Sequence, residues 1–381
     1  MKREIEWIQA LRGIAALLVV ICHARIVLRG THWEPFSERA LTPGALGVDL
    51  FFMISGFIMV HTTRQSDSSL RYTAAFLIKR FTRIWPVYVV AIIASLIISP
   101  PNLASASSLW SVIEPYIKQL LFIPVSANRP PFFSMPYDIG WTLNFEVYFY
   151  LVFGISLLFG RFRWTLLALW FALTLIAAPL YMSGHAGLDI QRTNGFSHAW
   201  LVMISNPIIW EFAVGVAIGL LYHSELALPR HPLTYCLLVG TTTFAVWYDF
   251  SWHGTFNGLD QWGAPLIPML IAFALASKNI DFVIPASLLR LGAVSYSLYL
   301  FHPIASKGLR MLMAAVGLGS LIPTWWCTLA VIVFAIIVAA LSHRILERGL
   351  SGWLRKRLVS WTASALHQWR MPRRVDCQHG E

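Results

Sequence analysis

Of the 381 residues, 57% are hydrophobic and only 12% are charged, about half the roughly 25% charged share of a soluble domain. So little charge cannot cover a water-exposed surface. This excludes a disordered chain, a collagen, a secreted disulfide scaffold and a soluble enzyme on one anchor, and places most of the mass in a bilayer.

The net charge is +11. The excess lies in short loops and the C-terminal tail, as a positive-inside bias requires, so nucleic acid is not an expected partner. Cys22, Cys236, Cys327 and Cys377 form no C-x-x-C pair, and neither a metal site nor a disulfide framework is expected. Lys2 and Arg3 before the apolar run 13–22 imitate a signal peptide, but Glu4 and Glu6 spoil a basic n-region. The run reads as a retained first span.

Ten apolar segments follow in chain order: 11–28, 46–61, 84–99, 139–159, 164–182, 204–222, 233–250, 263–277, 291–313 and 325–345. The expected fold class is an all-α, polytopic membrane protein of about ten transmembrane helices. The third and eighth segments are short, and Pro265 and Pro268 predict a kink or tilt in the eighth. With the N-terminus inside, 21 of the 29 Lys and Arg fall on the inner side, so both termini are expected to be cytoplasmic. The longest outer connection, 100–138, has room for one short helix near 109–122. Residues 1–347 are expected to form the transmembrane domain. Residues 348–381 form a basic cytoplasmic tail, whose alternation of Trp, Leu and Arg suits the anionic membrane lipid of the inner leaflet.

Charged or titratable side chains at membrane depth are functional candidates. Arg12 opens the first span and His23 follows eleven residues later, about 16 Å deeper on the same helical face. Glu146 sits about 10 Å below the outer edge of the fourth span, near the depth of His23. Glu211 and His302, on two further spans, fall at a similar depth. Four such groups at one level predict a polar chamber, although an interhelical hydrogen bond also accounts for a lone histidine. Arg80 and Arg83 share a helical face where the third span meets the cytoplasm. They read either as topogenic charge or as a phosphate clamp. Lys307 and Arg310 read as snorkelling cations, and Asp49 as an interfacial residue.

Five of these blocks, in order, resemble the membrane-bound acyltransferase-3 family. They are Leu11-Arg12-Gly13 through His23; the run 47–57 around Asp49; Arg80-Phe81-Thr82-Arg83; Trp141-Thr142-Leu143-Asn144-Phe145-Glu146; and Ser295 through His302-Pro303. The likeness runs from about Trp7 to Glu347 and is strongest to exopolysaccharide O-acetyltransferase members, with Ser205-Asn206-Pro207 before Glu211 adding to it. No esterase-like extra domain is expected. Where some relatives carry a second acidic residue after Glu146, this chain has Val147.

The resemblance implies a bacterial inner-membrane location, acetyl-CoA or another acyl-CoA as donor, and a carbohydrate acceptor such as an exopolysaccharide repeat unit. Arg12, Arg80 and Arg83 are then expected to hold the donor. His23 would serve as general base with Glu146 orienting it, or would carry a short-lived acyl group. His302, Glu211 and Trp141 would lie on the acceptor side. All of this requires one continuous tunnel from the arginines to His23. The rival reading is a transporter or flippase of a lipid-linked sugar, against which stands the lack of a visible duplicated half.

Overall fold

The computed structural model describes residues 5–105, 107–251 and 257–358. Every regular element among them is helical: α1 Glu6–Ala24, α2 Glu34–Leu41, α3 Leu46–Thr62, α4 Leu70–Ile98, α5 Leu109–Leu120, α6 Trp141–Leu157, α7 Arg163–Ala172, α8 Ala178–Ser183, α9 Ala199–Ile204, α10 Ile209–Tyr222, α11 Pro232–Ser251, α12 Leu266–Ala276, α13 Ala286–Ala293, α14 Ser295–Ala315 and α15 Trp325–Ser342. The tail beyond residue 358 lies outside the described residues.

Among the described residues, six helical stretches are long and apolar enough to cross a membrane: Glu6–Leu28, Glu34–Thr62, Leu70–Ile98, Gly160–Ser183, Ala199–Tyr222 and Trp325–Leu358. These contain six of the ten expected segments. The other four fall in α6, α11, α12 and α13–α14. They are shorter or carry more polar side chains; α12 has 11 residues, and α14 contains His302, Lys307 and Arg310.

Three expectations need correction. The third segment begins at Leu70 rather than 84, because Ser69 caps the helix by accepting from the Tyr72 N–H at 3.0 Å. Its 29 residues then run straight through Lys79, Arg80 and Arg83. Those arginines stand inside a long helix, not at its mouth. The sixth segment is broken between α9 and α10 by Ser205-Asn206-Pro207, and Asn206 folds back to donate to the Ile190 carbonyl at 2.7 Å. Finally, Pro265 is the N-cap of α12 and Pro268 lies in its first turn. Proline is tolerated there because those N–H groups lack an intrahelical acceptor, so the pair starts a helix instead of kinking one. The short helix expected near 109–122 is present as α5, opened by a reciprocal Ser108–Ser111 capping box.

The helix α1 is central and packs against α3, α13, α14 and α15, while α4 packs on α6 and α14. Close approach is possible because small residues meet backbone. A Cβ on Gly292 would lie 2.0 Å from the Gln9 carbonyl oxygen, and one on Gly47 would lie 2.3 Å from that of Ala15. Where α3 crosses α10, a Cβ on Gly215 would lie 2.0 Å from the Met53 carbonyl oxygen. The aromatic core sits beside that crossing, with Phe149 stacked on Phe212 at 4.3 Å and Phe52 tilted onto Phe212 at 4.7 Å.

Gly215→Val should therefore cost about 1–3 kcal/mol by overpacking. A lower thermal midpoint and less monodisperse protein in detergent are expected. Gly240→Ala on α11 has open space around it and should be neutral or stabilising by about 1 kcal/mol or less. Equal behaviour of the two variants would show that the α3–α10 contact is not a tight one.

Candidate active site in two cavities

The expected chamber is two cavities. The first, about 720 Å³, is lined by Arg12 of α1, Arg80 and Arg83 of α4, Glu146 and Tyr150 of α6, and Tyr296 and Tyr299 of α14. The second, about 1020 Å³, is lined by His23 at the end of α1, His302, Lys307 and Arg310 of α14, Ser95 of α4 and its C-cap Ser99, and Asp138 just before α6. On α14 His302 follows Tyr299 by only three residues, and on the antiparallel α6 the second set lies before the first; on α1 and α4 the second set lies about 11–16 residues after Arg12 and Arg83. At 1.5 Å per residue this is about 16–24 Å. The cavities are stacked along the bundle axis, meet at Tyr299 and His302, and share no lining residue.

The first cavity is a basic one. Its three arginines are accompanied by one carboxylate, Glu146. Among the described residues, none of the three is within ion-pair distance of a carboxylate. Two of them, Arg12 and Arg80, are held by neutral groups instead. Arg12 donates to the Ser295 hydroxyl at 3.2 Å and Arg80 to the Thr62 hydroxyl at 3.0 Å. The Arg80 guanidinium also lies over the rings of Phe76 and Tyr150, 5.5 and 5.6 Å from their centroids. Glu146 accepts a short hydrogen bond from the Tyr150 hydroxyl one turn away. Guanidinium forks without carboxylate partners are free to take the oxygens of a phosphate-bearing ligand.

The second cavity holds two imidazoles, His23 and His302, with ring centroids 4.9 Å apart. The His23 Nδ1 is 2.9 Å from the Val19 carbonyl, and the His302 Nδ1 is 2.7 Å from the Tyr299 carbonyl. A carbonyl only accepts, so each Nδ1 carries the proton and each Nε2 keeps its lone pair. The buried His302 Nε2 has no hydrogen-bond partner. Two fixed bases therefore reach one space, and the arrangement can accept protons from hydroxyl groups.

Several expected neighbours are elsewhere. Glu146 does not accompany His23. Asp138, which lines the His23 cavity, precedes Glu146 by eight residues, which carries Glu146 about 12 Å away along the helix axis. The His23 ring is oriented by the Val19 carbonyl of its own helix instead. Glu211 lines neither cavity. It is fully buried against the equally buried Asp49, which accepts from the Gly258 N–H at 2.7 Å and the Asn257 side chain at 2.5 Å. Trp141 also lines neither cavity; it packs edge-on to Phe52, Phe132 and Phe145. Among the described residues the arginines and His23 line separate cavities rather than one continuous tunnel. Between them lie Tyr299, Thr142 and Ile139.

Sequence reasoning passed over Tyr150, Tyr296, Tyr299, Thr142 and Asp138. A signal was present for four of these. Tyr150 follows Glu146 by four residues, Thr142 precedes it by four, and Tyr296, Tyr299 and His302 recur every three. Each of these spacings places side chains on one helical face. Lys307 and Arg310, read as snorkelling cations, line the histidine cavity.

The chain is 29% identical over 328 residues to the exopolysaccharide production protein ExoZ of Rhizobium meliloti (strain 1021), covering 84% of this chain and 93% of that protein. It is 26% identical to nodulation protein 10 of Rhizobium leguminosarum bv. viciae, covering 80% of this chain and 81% of that one. It is 23% identical to the acyltransferase MdmB of Streptomyces mycarofaciens, covering 93% of both. No solved structure matches. The family model for the acyltransferase domain matches residues 5–344, a span that includes both cavities, and the chain belongs to the acyltransferase-3 family of membrane proteins.

Proposed function

We propose that this protein is an acyl-CoA-dependent O-acyltransferase of the bacterial inner membrane. It moves an acyl group, acetyl in the simplest case, to a sugar hydroxyl of an exopolysaccharide or of its lipid-linked precursor. The observation that carries this reading is the pairing of two cavities: guanidiniums without an ion-pair partner among the described residues in one, and two imidazole bases in the other. The first suits a phosphate-rich donor and the second suits a hydroxyl acceptor. The names of ExoZ and MdmB support both the reaction class and the glycan setting. In this reading the chain crosses the membrane ten times, with both termini and the arginine cavity facing the cytoplasm.

The donor's phosphates dock on Arg80 and Arg83, with Arg12 beside the pantetheine arm. The acceptor hydroxyl enters the other cavity against the Nε2 of His23. As its oxygen attacks the thioester carbonyl, His23 takes the hydroxyl proton. The C–S bond breaks, the proton passes to the leaving sulfur, and the ester and the CoA thiol are released. His302 shares the acceptor cavity and takes the place beside His23 first assigned to Glu146. Glu146, held by Tyr150, steadies the arginine cavity by offsetting part of its positive charge. Glu211 and Trp141 act at a distance, by holding α10 and α6.

Two cavities stacked along a bundle also suit a transporter of a lipid-linked sugar. Chemistry separates the two readings. Given acetyl-CoA and a glycan acceptor, the acyltransferase releases free CoA thiol and a transporter does not.

His23→Ala should lower acyl transfer by about 10²–10⁴-fold, the range of a lost general base, while the protein inserts and accumulates normally. Proton NMR of ester groups on the cell's surface polysaccharide reads the outcome, and retained esters would remove the base assignment. Arg83→Ala should raise the apparent KM for acyl-CoA by about tenfold or more, the scale of a charge-assisted phosphate contact, with kcat changed much less. An unchanged KM would return the arginines to topogenic duty.

A further inference from the structure

The two cavities are closed off from each other by a specific latch. The Tyr299 hydroxyl donates to the Ile139 carbonyl at 2.9 Å. That leaves the Thr142 hydroxyl as donor in its 2.7 Å contact with Tyr299, and Thr142 lies 3.2 Å from the same carbonyl. Tyr299 and Thr142 line the arginine cavity, whereas Ile139 lines the histidine cavity. The Tyr299 ring is 6.1 Å from the His302 ring on one side and 6.1 Å from Phe51 on the other. Its own carbonyl accepts from the His302 Nδ1. One residue thus forms the wall of the donor cavity and fixes the tautomer of a base in the acceptor cavity.

We propose that Tyr299, latched to Thr142 and Ile139, is the positioning residue through which the acyl group crosses. This inference rests on the acyl-transfer reading. With the latch closed, a thioester in the arginine cavity is kept away from water and from the imidazoles. Release of the Tyr299 hydroxyl joins the cavities and brings the thioester carbonyl to the acceptor hydroxyl at His23. Without the latch, water reaches the thioester carbonyl. The C–S bond then breaks to give acetate and CoA thiol, and hydrolysis competes with transfer. The partition is held by hydroxyl hydrogen bonds between side chains and one carbonyl, so a rotation of Tyr299 opens it with no shift of a helix.

The test is side-specific labelling in sealed vesicles of both orientations. The four cysteines, Cys22, Cys236, Cys327 and Cys377, are replaced by alanine, and Ser55→Cys is introduced in the arginine cavity. With Tyr299 present, a membrane-impermeant methanethiosulfonate should label Ser55→Cys from one side only. With Tyr299→Phe, and independently with Thr142→Val, labelling from the opposite side should rise by about fivefold to tenfold, the scale of one lost hydrogen bond. With Tyr299→Ala the rise should be larger. Two-sided labelling with Tyr299 present would overturn the proposal. So would one-sided labelling retained in all three variants while they elute as monodisperse protein. With purified protein and acetyl-CoA alone, Tyr299→Phe should release thiol about fivefold or more faster than the wild type, by the same loss. If the wild type releases no thiol even with acceptor, the acyl-transfer reading fails; the labelling result still decides the partition.

Discussion

Three guanidinium groups share one cavity with a single carboxylate inside an otherwise apolar bundle, and the surrounding architecture answers that imbalance. Charge at membrane depth is costly unless water, a counter-charge or hydrogen bonds accompany it. Here neighbouring hydroxyls and aromatic faces supply part of the compensation. The rest falls to whatever enters the cavity. An anionic ligand is thus favoured by the protein's own electrostatics before any shape complementarity is considered.

The histidine cavity is built on the opposite principle. Its imidazoles are neutral hydrogen-bond donors at Nδ1, each tied to a carbonyl of its own helix. Orientation by a local carbonyl is economical because no second helix has to supply a carboxylate. The three arginines and the two imidazoles are separated by the hydrogen-bonded group of Tyr299, Thr142 and Ile139.

Much of this arrangement was legible from residue types at membrane depth. Arg12, Arg80, Arg83 and Glu146 share one cavity, and His23 and His302 share the other. Axial positions are less legible, because apolar runs do not mark the limits of these helices. Lys79, Arg80 and Arg83 stand just before the apolar run 84–99, yet α4 starts well before them. The capping Ser69, well outside that run, held the missing information. Glu146 was set level with His23 on hydropathy edges, and an error of several residues along α6 exchanges one cavity for the other. Asp49 looked interfacial, yet its partners Asn257 and Gly258 come from a distant loop that no local spacing could disclose. Trp141 belonged to the aromatic packing of α3 and α6, a role that composition cannot tell apart from sugar stacking.

The glycine contacts of α1 constrain how such a molecule can work. Gly292 presses on Gln9 from one flank and Gly47 on Ala15 from another, so backbone meets backbone on two sides of the same helix. A helix wedged in this way has no room to tilt or slide, and Arg12 and His23 ride on it as fixed points of a ruler about 16 Å long. Substrates must be brought to those marks. The moving parts are then single side-chain torsions, which turn over far faster than the rocking of whole repeats, and the bundle can act as a rigid jig within which small groups change hands.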